Sequence, residues 1–129
     1  MIVAKCPVRV SLVGGSTDLE AFLDAYKHGS VISFPSSLNT YIALHKNNRD
    51  KFIINYTKNE EVDDVTQIKN DVARVVLNHF QPEEFLTVGF NSDIFSVGSG
   101  LAASSAYIIA LIKAVATYQG LKLSDFDIC

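Results

Sequence analysis

Gly98-Ser99-Gly100, followed by Leu101, Ala102, Ala103, Ser104 and Ser105, is the stretch of this chain best suited to chemistry. Glycines let a backbone approach a ligand closely, and the serines place hydroxyls where a long apolar segment begins. That segment is rich in helix formers as far as Tyr118, and nothing breaks it before Gly120. A glycine turn feeding the first turn of a helix presents unpaired N–H groups and the positive end of the helix dipole. Such a place can hold the phosphates of a nucleotide, with a serine hydroxyl on Mg²⁺. The same residues also describe a turn capping an ordinary core helix, and this stretch alone leaves both readings open.

A second constellation lies upstream. Arg9 sits on a strand that runs into Gly14-Gly15-Ser16-Thr17-Asp18. A turn aspartate can accept hydrogen bonds from polyol hydroxyls, and an arginine can pair with a carboxylate or phosphate. The alternative makes Asp18 a helix-start carboxylate and Arg9 a surface charge. Other chemistries find no support. The chain contains no GxxxxGK[ST], no GxSxG elbow, and no third glycine at Ala103 as a dinucleotide fingerprint would need. His28, His45 and His79 lie far apart on different elements, without metal-ligand spacing.

The elements that must position these residues follow from periodicity. Residues 2–13 read as β structure, bent near Pro7, with Val8, Val10 and Leu12 on a core face and Arg9 opposite. A short helix runs from Asp18 to about His28, capped by Ser16 or Thr17 and ended by Gly29. Residues 30–34 and 38–45 read as two strands separated by Pro35-Ser36-Ser37. A turn at Asn47-Asn48-Arg49-Asp50 then makes a hairpin with a strand at Phe52–Tyr56. Thr57–Thr66, with Glu60, Glu61, Asp63 and Asp64, reads as a solvated loop rather than a metal site. An amphipathic helix covers Gln67–Phe80, a strand Phe85–Asn91, and Gly120 caps the long helix; Leu123-Ser124-Asp125 starts another. The order β-β-α-β-β-β-α-β-loop-α predicts an α+β domain with a mixed or antiparallel sheet.

Composition sets the class. A chain of 129 residues is long enough to bury a core, and 48% hydrophobic with 19% charged residues is a globular balance. A net charge of −3 argues against a nucleic-acid partner and leaves room for a small anionic ligand held by backbone dipoles. Cys6 and Cys129, at opposite ends without metal-ligand spacing, read more simply as thiols of a reduced, cytoplasmic protein than as one long-range disulfide. The N-terminus lacks the features of a signal peptide, and Ser104, Ser105 and Lys113 make the apolar run a buried helix rather than a membrane span.

The succession of CPVRVSLVGGSTDLEAF and GSGLAASSAY resembles motifs one and two of the GHMP small-molecule kinases, which include galactokinase, homoserine kinase and mevalonate kinase. GGSTDL, where galactokinases carry GEHTDY, is most similar to the heptose-7-phosphate kinase branch, as is INYTKNEEVDDVTQIKNDVARVVL. The resemblance covers nearly all of the chain but only the N-terminal part of a family member. It implies that residues 1–129 form an ATP-binding N-terminal domain, a mixed sheet with helices packed on one face. It implies a phosphoryl transfer from ATP to a hydroxyl of a sugar or sugar phosphate. Gly98, Ser99, Gly100, Leu101, Ala102, Ala103, Ser104 and Ser105 would wrap the ATP phosphates, with Ser104 approaching Mg²⁺. Arg9, Gly15, Ser16, Thr17 and Asp18 would handle the sugar. The family's catalytic aspartate and third glycine-rich motif would lie beyond residue 129.

Three departures stand out. The family's GLGSS reads Gly100-Leu101-Ala102-Ala103-Ser104 here, and Phe95-Ser96-Val97 replaces the usual preceding proline. Ala102 adds a methyl where close approach is wanted, and Ala103 removes a hydroxyl. A degenerate nucleotide-binding or interaction module without catalysis and a galactokinase-like enzyme are therefore the alternatives. A serine hydrolase is more distant, lacking both elbow and triad spacing. Without a C-terminal half, an uncovered sheet face would be an apolar patch suited to a homodimer.

Overall fold

The computed structural model describes residues 1–94 and 100–128. Its elements are β1 (Ile2–Val13), α1 (Glu20–Tyr26), β2 (Ile32–Lys46), β3 (Phe52–Asn55), β4 (Asn59–Val62), a 3-10 turn (Val65–Gln67), α2 (Asp71–Phe80), β5 (Leu86–Ser92), α3 (Ala103–Tyr118) and α4 (Asp125–Ile128). The five strands form one mixed sheet in the order β1-β2-β5-β3-β4. Only the β3–β5 pair is parallel among the described strands. This is the α+β architecture that the element order predicts.

The core lies between one face of the sheet and the two long helices. Ile42 and Leu44 of β2, Leu86 and Val88 of β5, and Ile54 of β3 alternate onto that face and are completely buried. They meet Ala73, Val76 and Leu77 of α2 and Ala110, Leu111, Ala114 and Val115 of α3. Alanines at positions 106, 110 and 114 recur every fourth residue, so a smooth stripe of α3 can lie close on β1 and β2. α3 ends as foreseen: Gly120 takes φ +72°, its N–H bonds to Thr117 O, and Leu121 N–H bonds to Ala116 O. That double bond pattern satisfies the last helical carbonyls.

Several local expectations are corrected. The two strands around Pro35-Ser36-Ser37 are one strand, β2, and the break is a bulge within it. β3 does not form a hairpin with β2; β5 sits between them, because its apolar alternation fits the sheet centre better than a short strand does. Part of the acidic segment, Asn59–Val62, is the edge strand β4 rather than loop. Glu60 there accepts N–H bonds from Lys69 at 2.7 Å and Asn70 at 3.1 Å, which shapes the approach to α2. That helix starts at Asp71, four residues later than the pattern suggests, with Asn70 as its cap. The core face of β1 also stops early: Val8 is fully buried while Leu12 is 65% exposed.

Candidate functional site

The turn after β1 is built by close backbone approach. Gly14 has φ +80°, and a Cβ there would stand 1.9 Å from Ser30 O. Only glycine fits this crossing. Thr17 closes the turn: its N–H bonds to Gly14 O at 3.2 Å, and its hydroxyl lies 2.9 Å from Gly14 O and 3.2 Å from Ser30 O. The Thr17 hydroxyl is thus engaged within the turn. The N-cap of α1 is Leu19, without a side-chain cap, because Thr17 is committed elsewhere and Ser16 is held at φ +70°. Gly15, Ser16 and Asp18 are exposed, and among the described residues the Ser16 and Asp18 side chains make no hydrogen bond or ion pair.

The middle of the β1–β2 ribbon is the hub. Pro7 pairs with Asn39, yet Arg9 pairs with Pro35, so β2 spends two extra residues opposite Val8. Ser36 Oγ accepts Leu38 N–H at 2.8 Å and holds that bulge. Proline has no N–H to give to the ladder, and the Arg9 N–H donates instead to Leu101 O at 3.1 Å. This bond joins the strand before the first glycine turn to the segment that opens α3, two regions ninety residues apart in sequence. The Arg9 guanidinium is exposed and forms no ion pair among the described residues.

Gly100 (φ +70°) and Ala102 (φ 54°, ψ 33°) are both left-handed, and Ala102 is the N-cap of α3. No side chain among the described residues caps this end. Ala106 N–H is the donor that bonds back to Ala102 O, so the N–H groups of Ala103, Ser104 and Ser105 precede the helical ladder. Ser104 and Ser105 are exposed, and their hydroxyls have no partner among the described residues. The structure also relocates the cost of Ala102: a non-glycine residue in the left-handed region carries about 1 kcal/mol of strain. The sequence suggested only a methyl in the way. Gly98 and Ser99, the start of the expected cradle, lie outside the described residues, as do Phe95-Ser96-Val97.

Sequence reasoning missed three residues beside this hub. Asp93, just past β5, accepts the Asn39 N–H at 2.9 Å and the Tyr41 hydroxyl at 3.1 Å, both on one carboxylate oxygen. Its own N–H donates to Asn39 O at 3.0 Å. The bond to Asp93 raises the pKa of Tyr41 above the ordinary tyrosine value, with burial adding to it. These partners are 52 and 54 residues apart in sequence, so no local signal could have linked them.

The arrangement therefore brings Arg9 to the start of α3 through the backbone. It does not join the Gly14–Asp18 turn to Gly100–Ser105 by any hydrogen bond among the described residues. No group of three or more His, Cys, Asp or Glu residues able to hold a metal occurs among the described residues. A separate groove of about 590 Å³ opens between α2, α3 and the segment leading to α4, lined by Val75, His79, Phe80, Ile108 and Leu121 among others. It includes none of the candidate residues. No helix among the described residues is long and apolar enough to cross a membrane.

Residues 66–129 match the GHMP kinases N terminal domain family. The D-glycero-alpha-D-manno-heptose 7-phosphate kinase of Campylobacter jejuni subsp. jejuni serotype O:2 is 28% identical over 136 aligned positions, covering 96% of this chain and 40% of that protein. In fold, the chain is similar to a D-glycero-D-manno-heptose 1-phosphate kinase from Bacteriodes thetaiotaomicron, with a TM-score of 0.81 at 21% identity over 99% of this chain and 45% of that one. The Methanococcus jannaschii mevalonate kinase gives a TM-score of 0.76 at 22% identity over 98% of this chain and 43% of that one. The chain thus spans less than half the length of these relatives. The family match covers residues 66–129, and the likeness in fold to these kinases extends over nearly the whole chain.

Proposed function

We propose that this chain is the ATP-binding N-terminal part of a kinase that moves the γ-phosphoryl group of ATP to a hydroxyl of a sugar phosphate, a heptose phosphate being the first candidate. The Arg9–Leu101 bond carries this reading, because it couples the strand of the proposed sugar site to the opening of the proposed phosphate site. Phosphoryl transfer needs mainly alignment of two substrates and neutralisation of charge. Two site halves tied through one backbone bond suit that requirement.

In this reading Gly98 to Ser105 line the phosphates, and the free N–H groups of Ala103, Ser104 and Ser105 point positive dipole ends at them. Mg²⁺, when bound with ATP, would offset phosphate charge. An exposed Ser104 hydroxyl without a partner among the described residues fits a cation that takes most of its ligands from phosphate and water. Arg9, Gly15, Ser16 and Asp18 face the sugar, with the guanidinium pairing its phosphate and Asp18 accepting from hydroxyls. Thr17 acts by shaping the turn with its hydroxyl rather than by offering that hydroxyl to the sugar. The group that takes the proton from the attacking hydroxyl belongs to a part of the enzyme outside residues 1–129. The protein is then cytoplasmic, where ATP and sugar phosphates are found.

The test is release of ADP by the protein carrying this chain, across a panel of heptose phosphates and other sugars. Sugar-dependent release is expected, and none across the whole panel overturns the reading. Ser104→Ala should slow turnover more than Ser99→Ala; equal effects would remove the Mg²⁺ role of Ser104. A second reading, a nucleotide-binding module without catalysis, is favoured by the strained Ala102 and the missing hydroxyl at Ala103. Calorimetric binding of Mg·ATP without turnover would select it. The exposed Leu12, Val13, Ile32 and Phe34 support self-association of the isolated chain, and a clean monomer by light scattering would count against it.

A further inference from the structure

Residues Ser92 to Ile94 are tied to β2 far more tightly than an exposed strand end requires. Asp93 exchanges backbone bonds and a carboxylate bond with Asn39, and its carboxylate also takes the Tyr41 hydroxyl. Ser92 Oγ accepts the Ile94 N–H at 3.0 Å, which turns the chain out of the sheet. Asn39 is the β2 residue where regular pairing with β1 stops and the bulge begins. On the other side of the same bulge, Arg9 holds Leu101. Asp93 and Leu101 are therefore both bonded at one irregularity of the β1–β2 ribbon.

We propose that Asp93 is a positioning residue for the start of α3: it holds the β2 bulge at Asn39 and Tyr41, and the same bulge holds Leu101 through Arg9. This deepens the phosphate-site reading and rests on it. A bulge held in place limits the conformational freedom of Leu101 and the helix start bonded to it before a ligand arrives. The N–H groups of Ala103, Ser104 and Ser105 are then presented in one place, and binding does not have to order them. Asp93 does not touch the nucleotide in this scheme. It acts through the backbone, and its carboxylate serves as an acceptor whose geometry, rather than charge, matters.

The variants Asp93→Ala and Asp93→Asn separate these roles, with Lys46→Ala as control. Lys46 pairs with Glu84 near the far end of β2, away from the hub. Calorimetry with Mg·ATP should give a Kd about tenfold weaker for Asp93→Ala, which is about 1.4 kcal/mol. Asp93→Asn keeps an acceptor oxygen and should stay within about threefold of the parent. Amide hydrogen exchange at Arg9 and Ala106 should accelerate in Asp93→Ala and not in Lys46→Ala. If the parent binds Mg·ATP while Asp93→Ala changes neither Kd nor Arg9 exchange, the proposal is overturned. A parent that binds no Mg·ATP overturns the functional reading instead, and Arg9 exchange then decides the anchoring role alone. Should Asp93→Ala not fold, Tyr41→Phe takes its place: about threefold weaker binding is expected, and no change overturns the proposal.

Discussion

The two ends of the β1–β2 ribbon are both paired antiparallel and are buried very differently. At one end Ile2 faces Leu44 and Ala4 faces Ile42, beneath α3. At the other, Val10 faces Phe34 and Val13 faces Ile32, and Val13, Ile32 and Phe34 are 65%, 62% and 47% exposed. Pairing continues through both, with a further register shift between Ser11 and Val13 in the projecting half. The larger difference is the helix layer: α3 lies over the first half and reaches its N-terminus at the bulge. The packed half supplies stability, and the projecting half supplies the glycine turn with Ser16 and Asp18. The candidate site lies at the junction, where a rigid layer ends and exposed polar groups begin.

This contrast can be broken most directly by matched truncations. Leu44→Ala should cost about 3 kcal/mol in denaturant unfolding, since a fully buried leucine leaves a cavity. Leu12→Ala should cost under about 0.5 kcal/mol. Similar losses at both positions would mean that the projecting half is packed in solution.

Gly14→Ala tests the projecting half by its backbone. The new methyl would meet Ser30 O at a left-handed φ, so a loss of about 2 kcal/mol is expected although no core contact is touched. A neutral substitution would show that the turn can rearrange freely.

Ala102→Gly probes the junction. Relief of the left-handed strain should raise stability by up to about 1 kcal/mol, partly offset by the greater freedom of glycine in the unfolded chain. It should also tighten Mg·ATP binding, and weaker binding would separate this helix start from the phosphates.

The smallest effect concerns pH. Burial pushes the Glu60 carboxyl up, but bonds from the Tyr56 hydroxyl and from the Lys69 and Asn70 N–H groups outweigh it and hold the pKa below its ordinary value. A carboxyl depressed in the folded state adds stability above the unfolded pKa and loses it as pH falls through the folded pKa. Stability should therefore fall below about pH 4.5, and Glu60→Gln should flatten that part of the curve.

Periodicity and turn chemistry were enough to read the α+β class, the long helix with its Gly120 cap, the amphipathic α2, and the glycine turn after β1. Each of these depends on neighbours within a few residues. The two motifs and their order were likewise legible as a kinase resemblance. Pairing was not legible. Pro35-Ser36-Ser37 gives the same local signal whether it ends a strand or bulges one, and only Val8 and Arg9 on the opposite strand decide. β3 could equally have paired with β2, until β5 took that place.

The meaning of Ala102 likewise changed from a steric guess to a left-handed N-cap once its φ was fixed. Asp93, Asn39 and Tyr41 left no trace in the sequence, because an exposed aspartate becomes an anchor only when a strand fifty residues away is laid beside it. What the sequence determined by itself is the set of local preferences and the chemistry on offer. Which strands meet, and hence which residues share the junction, was decided by tertiary structure, since long-range pairing is settled by the whole core at once.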